Sequence, residues 1–142
     1  MFQAIDGLCE RRILNPDDIT AQTGEIHYRI QRFPHFDFAP NAEMQEHQKN
    51  ADLIICHAGT GTVIGALKKG QKVIVFPRLQ KYHEHESDHQ LDLAKEFTEE
   101  GYVLCAMNEE ELEQALGQVA SFTPKPFVSN QENFCNLIRS LL

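Results

Sequence analysis

Short runs of branched apolar residues alternate along this chain with stretches whose apolar positions recur every three to four residues. Phe2, Ile5 and Leu8, with Cys9, fall on one helical face, so the chain opens on an amphipathic helix. Residues 19–22 read as a short strand ended by Thr23-Gly24, residues 26–33 fit neither period, and Pro34 marks a break. Residues 35–39 alternate as a strand, and Pro40-Asn41 opens a helix running to about Lys49. The apolar run over 52–56 predicts a buried strand, followed by a helix over 61–69 that Gly70 stops. A strand over 72–76 is closed by Pro77, and a polar loop leads to a helix from about Glu86 to Glu100, ended by Gly101. Residues 102–105 form the last strand. Asn108 caps a helix over 109–120, and Pro124 and Pro126 interrupt the chain before a closing helix from about Asn130.

Strands separated by single helices imply right-handed crossovers and a mostly parallel, doubly wound α/β sheet of Rossmann-like type. The 142 residues suit a single domain. In such sheets ligands sit beyond the carboxyl ends of the strands, where Ala39-Pro40, residues 57–62 and residues 77–90 all fall. The pattern begins in a helix, with no strand before it. The expected sheet therefore lacks its first strand and reads as N-terminally shortened, and an uncovered strand edge favours self-association.

Charge and composition narrow the classes. Thirteen basic residues against 21 acidic ones give a net charge of −8, which argues against nucleic acid as a partner. No apolar stretch approaches the ~18 residues of a membrane span, and the first residues lack the basic flank and apolar core of a signal peptide. Cys9, Cys56, Cys105 and Cys135 are widely spaced, with no Cys-x-x-Cys pair. They read as buried free thiols in a reducing cytoplasm.

The candidate chemistry lies between residues 56 and 90. Cys56-His57-Ala58-Gly59-Thr60-Gly61-Thr62 ends one strand and starts the next helix. Gly59 and Gly61 leave the backbone bare, Thr60 and Thr62 offer hydroxyls, and the helix N-terminus presents free N–H groups and the positive end of its dipole. Together these suit a phosphate or diphosphate. Glycine turns of this kind also occur without a ligand. The turn is not the dinucleotide fingerprint, since it has no third glycine, nor a P-loop, since no Gly-Lys-Ser/Thr follows. After the next strand come Pro77-Arg78, Glu84-His85 and His89-Gln90.

Over residues 38–90 these motifs resemble the nucleotide-sugar-binding half of GT-B glycosyltransferases. Nearly the whole chain is similar to the small donor-binding subunit of split glycosyltransferases of the family 28 C-terminal-domain type. These serve bacterial polysaccharide synthesis and the dolichol-linked N-acetylglucosamine transfer of eukaryotes. The resemblance implies that Phe38, in Phe38-Ala39-Pro40-Asn41, lines the uracil site, although a phenylalanine at a strand end also suits a core. It implies that His57 and Thr62 contact the donor diphosphate and that His89-Gln90 hydrogen-bonds the donor sugar. Gly65 departs from the pattern, standing where many relatives have a glutamate that grips the ribose. The family's opening strand with its Gly-Thr turn is also absent from the pattern.

The expected reaction is inverting transfer of a sugar from a UDP-sugar to a lipid-linked saccharide. Charge developing on the leaving diphosphate would be met by the N–H groups of residues 59–62, His57 and Arg78, with no metal and no further cofactor. Glu84, His85 or His89 could act as base by chemistry alone. The resemblance implies a membrane-associated acceptor-binding partner subunit, a cytoplasmic site peripheral to the membrane through that partner, and little activity alone. Two rivals remain. His85-Glu86-Ser87-Asp88-His89 formally fits a zinc-hydrolase pattern. The chain could instead be a non-catalytic enhancer that stabilises a partner glycosyltransferase.

Overall fold

The computed structural model describes residues 1–78 and 89–128, together with Asn136 and Arg139. The element order is α1 (Phe2–Glu10), a 3-10 turn (Pro16–Asp18), β1 (Ala21–Gln22), β2 (His35–Phe36), α2 (Asn41–Asn50), β3 (Leu53–Cys56), α3 (Thr60–Lys68), β4 (Lys72–Val75), α4 (His89–Glu99), β5 (Leu104–Cys105) and α5 (Glu109–Gln118). The expected closing helix falls mostly outside the described residues, though Asn136 and Arg139 are helical. The predicted start of α4 at residues 86–88 is also outside them.

Every strand pair is parallel, as the alternation of single strands and helices requires, but the strands form two sheets. β1 pairs with β2, and β3, β4 and β5 lie in that order with β4 in the centre. Among the described residues, the second edges of β1 and β3 carry no strand.

The strand sequences explain the layering. In β4, Val73, Ile74 and Val75 are all fully buried, which needs cover on both faces. Ile54, Cys56, Val73, Val75 and Cys105 join one apolar cluster with Val63, Ala66 and Leu67 of α3 and Leu93, Ala94 and Phe97 of α4. Leu53, Ile55, Ile74 and Leu104 join the other, with Ile5 and Leu8 of α1 and Leu112 and Ala115 of α5. The period of two is thus kept through all three strands, and helices cover the sheet on both sides. Phe97 is fully buried, with its ring edge-on to Tyr102 at 6.4 Å, so its truncation to alanine should cost about 3–5 kcal/mol.

Helix ends follow local rules. Asn108 accepts a hydrogen bond from the Glu111 N–H (2.9 Å), and Gly70 (φ 71°) ends the α3 turn in the left-handed region. α2 buries none of its residues fully and is mostly polar. Its His47 ring stacks on Phe36, and its C-terminal carbonyls at Gln48 and Ala51 accept from the Gln71 side-chain amide.

Some elements are shorter or more open than expected. The strand predicted over 35–39 is only His35–Phe36, and that over 102–105 only Leu104–Cys105. Residues 25–30 alternate outward and inward like a strand, with Ile26, Tyr28 and Ile30 inward, yet they pair with nothing in a ladder. Cys9 is buried, whereas Cys56 and Cys105 are only partly so; all three are free thiols, and Cys135 lies outside the described residues. No helix among the described residues is long and apolar enough to cross a membrane.

Candidate functional site

β3 and β4 end side by side, with Cys56 in register with Val75, so the loops leaving their carboxyl ends start as neighbours. The Phe76 N–H donates to the Cys56 carbonyl at 2.7 Å. One residue further, a side chain repeats the link: His57 Nδ1 lies 3.0 Å from the Phe76 carbonyl oxygen. A carbonyl only accepts, so Nδ1 carries the proton, and Nε2 of the neutral ring holds a lone pair. The Phe2 ring of α1 meets the imidazole edge-on at 6.2 Å. Burial pushes the His57 pKa down to about 4; the hydrogen bond to Phe76 opposes this, and the positive charge of Arg78 adds to it.

The turn that follows has its left-handed residue at Ala58 (φ 65°), which is fully buried, and not at a glycine. A side chain in that region costs about 1–2 kcal/mol, a strain that the packing around Ala58 must hold. Gly59 itself is extended (φ −63°, ψ 125°) and is the N-cap of α3, with no side-chain cap. The first helical bond runs from the Val63 N–H to the Gly59 carbonyl at 3.0 Å. The N–H groups of Thr60, Gly61 and Thr62 therefore sit at an uncapped helix end.

A Cβ built on Gly59 or Gly61 would meet no heavy atom within 4 Å. Neither φ nor packing requires glycine at Gly59, so what its missing side chain provides is open approach to the helix N-terminus. That is the geometry of an anion cradle.

Arg78 and Gln90 close the same corner. The Arg78 backbone N–H donates to Gln90 Oε1 (3.2 Å), tying the segment after β4 to the first turn of α4. Because the donor is an N–H, the oxygen of the Gln90 amide must face it, which leaves Nε2 as the donor end. His89 is the first residue of α4. Glu84 and His85 lie outside the described residues, as do Glu86, Ser87 and Asp88 of the His-Glu-x-x-His pattern. Among the described residues, no group of three or more His, Cys, Asp or Glu is placed to hold a metal. The Cys56 thiol, beside His57, is pushed up to about 11 by burial, against a hydrogen bond with the Ala58 backbone; it stays protonated and is no nucleophile.

Phe38 follows β2 of the smaller sheet by two residues. It is 70% exposed, so it is not a core residue. With Gly24, Glu25, Ile26, His27 and Asp37 it lines an open depression of about 430 Å³. Gly24 (φ 61°) makes the turn there, and the Phe38 ring packs 3.8 Å from where a Gly24 side chain would begin. The described structure thus brings His57, the 59–62 turn, Arg78 and Gln90 together. Gly65 lies within α3, with no atom within 4 Å of a built Cβ.

Two residues around these sites escaped the sequence reading. Phe2 was assigned only to an apolar face, yet it walls His57. Asp6 is 1% exposed and accepts from the Tyr28 hydroxyl (2.7 Å) and from the backbone N–H groups of Gln31 (3.0 Å) and Arg32 (3.1 Å). That hydrogen bond, the larger cause, and burial together raise the Tyr28 pKa above its ordinary value. The signal was present: a carboxylate beside Ile5 on an inward helical face must find donors.

A parallel α/β sheet covered on both faces, with an uncapped helix N-terminus at its carboxyl edge, defines a Rossmann-like domain. The chain belongs to the glycosyltransferase family 28 C-terminal domain family, whose sequence model matches residues 10–141. It is 34% identical over 67 residues to the UDP-N-acetylglucosamine transferase subunit ALG13 of Candida albicans, covering 47% of this chain and 22% of that protein. It also resembles the NMR solution structure of ALG13, with 31% identity and a TM-score of 0.50, over 72% of this chain and 50% of that one. The chain therefore spans half or less of the length of these relatives.

Proposed function

We infer that this chain is the donor-binding part of a two-component inverting glycosyltransferase, which transfers a sugar from a UDP-sugar to a lipid-linked saccharide. The observation that carries this reading is the open, uncapped N-terminus of α3 beside His57 and Arg78, in a chain of family 28. In the reaction, negative charge grows on the leaving diphosphate as the glycosidic bond breaks. Preorganised N–H groups at residues 60–62 and the Arg78 guanidinium stabilise that charge without reorganisation. His57 contributes through Nε2, which donates only after taking up a proton. Gln90 Nε2 serves the sugar hydroxyls, and Phe38 offers a face to uracil.

The acceptor saccharide belongs to a membrane-associated partner subunit, which carries this chain to the cytoplasmic membrane surface. The Candida relative is a transferase subunit, which supports a heteromeric enzyme. The base that deprotonates the acceptor is drawn from Glu84 and His85.

The test is calorimetric titration of the purified chain with UDP, followed by transfer assays with and without a co-expressed acceptor subunit. UDP binding by the chain alone, with transfer only in the presence of the partner, is the expected result. Binding of neither UDP nor UDP-sugar would leave the second reading, a non-catalytic stabiliser of a partner glycosyltransferase. Gly65, which offers no side chain to a ribose, favours that reading.

A further inference from the structure

We propose that Asp6 is a positioning residue for nucleotide recognition: its buried carboxylate holds residues 25–33 in place as the wall of the depression beside Phe38. This rests on the donor-site reading above. Residues 25–33 form no regular element. Apart from the surface ion pair of Arg32 with Glu10 (3.1 Å) and a local bond from His35 Nδ1 to the Phe33 carbonyl oxygen (3.1 Å), the described hydrogen bonds that tie this segment to the rest of the chain end on Asp6. Oδ2 takes the Tyr28 hydroxyl and the Gln31 N–H, and Oδ1 takes the Arg32 N–H. Ile30 and Phe33 add buried apolar contacts, but these are non-directional and cannot fix the path of the backbone alone.

The first residues of the segment, Glu25, Ile26 and His27, line the depression with Phe38. Asp6 also lies one helical turn after Phe2, and residues four apart share a helix face. Phe2 packs on His57, so α1 touches the phosphate turn with one residue and holds the nucleoside wall with the next on that face. α1 thus sets both ends of the site, and Asp6 carries its polar hold on the nucleoside end.

The experiment measures binding of UDP and of inorganic pyrophosphate to the full chain and to Tyr28→Phe and Asp6→Asn, with amide exchange at Gln31 and Arg32. Tyr28→Phe should weaken UDP binding about three- to tenfold and Asp6→Asn about ten- to a hundredfold, as loss of one and of several hydrogen bonds predicts. Pyrophosphate binding should stay within about twofold, because the phosphate turn is untouched. The Gln31 and Arg32 amides should exchange faster in Asp6→Asn. UDP affinity equal to wild type in the folded variants, or a parallel loss of pyrophosphate, overturns the proposal. If Asp6→Asn does not fold, Tyr28→Phe decides alone, since it removes a single hydroxyl. A wild-type chain that binds pyrophosphate but not UDP sinks the donor-site reading and this proposal with it. UDP binding by wild type with unaltered variants sinks this proposal only.

Discussion

His57 Nδ1 donates to the Phe76 carbonyl oxygen at 3.0 Å, and this one bond joins the ends of two neighbouring parallel strands while fixing the tautomer of the ring. Nε2 is left as an acceptor in the buried neutral state.

The first prediction concerns pH. The folded His57 pKa is about 4 against an ordinary 6.5, so between these values the unfolded chain binds more protons than the folded one. His57 therefore contributes stability above pH 6.5 that is lost as pH falls toward 4, in all roughly 3–4 kcal/mol. Urea midpoints measured across this range should fall with pH in wild type. They should fall less in His57→Asn, whose amide can keep the Phe76 bond without titrating. A phosphate at Nε2 favours the imidazolium, so UDP binding should take up a proton. Calorimetric enthalpies should then depend on the buffer's ionisation heat more in wild type than in His57→Asn. His57→Ala should cost about 1.5–3 kcal/mol of UDP affinity.

The glycine turn separates stability from binding. Gly59 has a φ of −63° and open space around a built Cβ, so Gly59→Val should fold with a melting temperature at or near that of wild type. Its side chain would occupy the approach to the helix N-terminus, and UDP and pyrophosphate binding should both be lost. Unchanged UDP affinity in a folded Gly59→Val would make the turn structural. Gly65→Ala, inside α3 and likewise uncrowded, should raise stability by about 0.5–1 kcal/mol.

Gln90 offers a different split. Gln90→Glu keeps an acceptor for the Arg78 N–H but loses the Nε2 donor, so it should spare UDP binding and weaken binding or transfer of the whole UDP-sugar. Gln90→Ala also leaves the Arg78 N–H without its partner and should disturb both. A comparison of UDP with UDP-sugar affinity in the two variants checks this. Equal losses for UDP and UDP-sugar in Gln90→Glu would remove the sugar contact.

Metal dependence distinguishes transferase from hydrolase. Purified protein should contain no stoichiometric zinc by elemental analysis, and transfer with the partner subunit should persist in chelator. About one zinc per chain, lost together in His85→Ala and His89→Ala, would overturn the transferase reading.

By itself the sequence determined what short-range chemistry controls. The branched run 73–75 marked a strand over 72–76, and Asn108 marked a helix start because its side chain can cap one. The glycine turn after β3 was visible for the same reason: strand, bare backbone and helix start lie within ten residues. Tertiary structure alone decided the separation of the strands into two sheets, the strained backbone at Ala58 instead of at a glycine, the exposure of Phe38, and the proton position on His57. Asp6 shows why. Its donors lie 22 to 26 residues away in a segment with no period of its own, so nothing local in the sequence named them. Periodicity and caps are set by neighbours a few bonds apart, whereas the partner of a buried polar group is chosen by how distant segments pack.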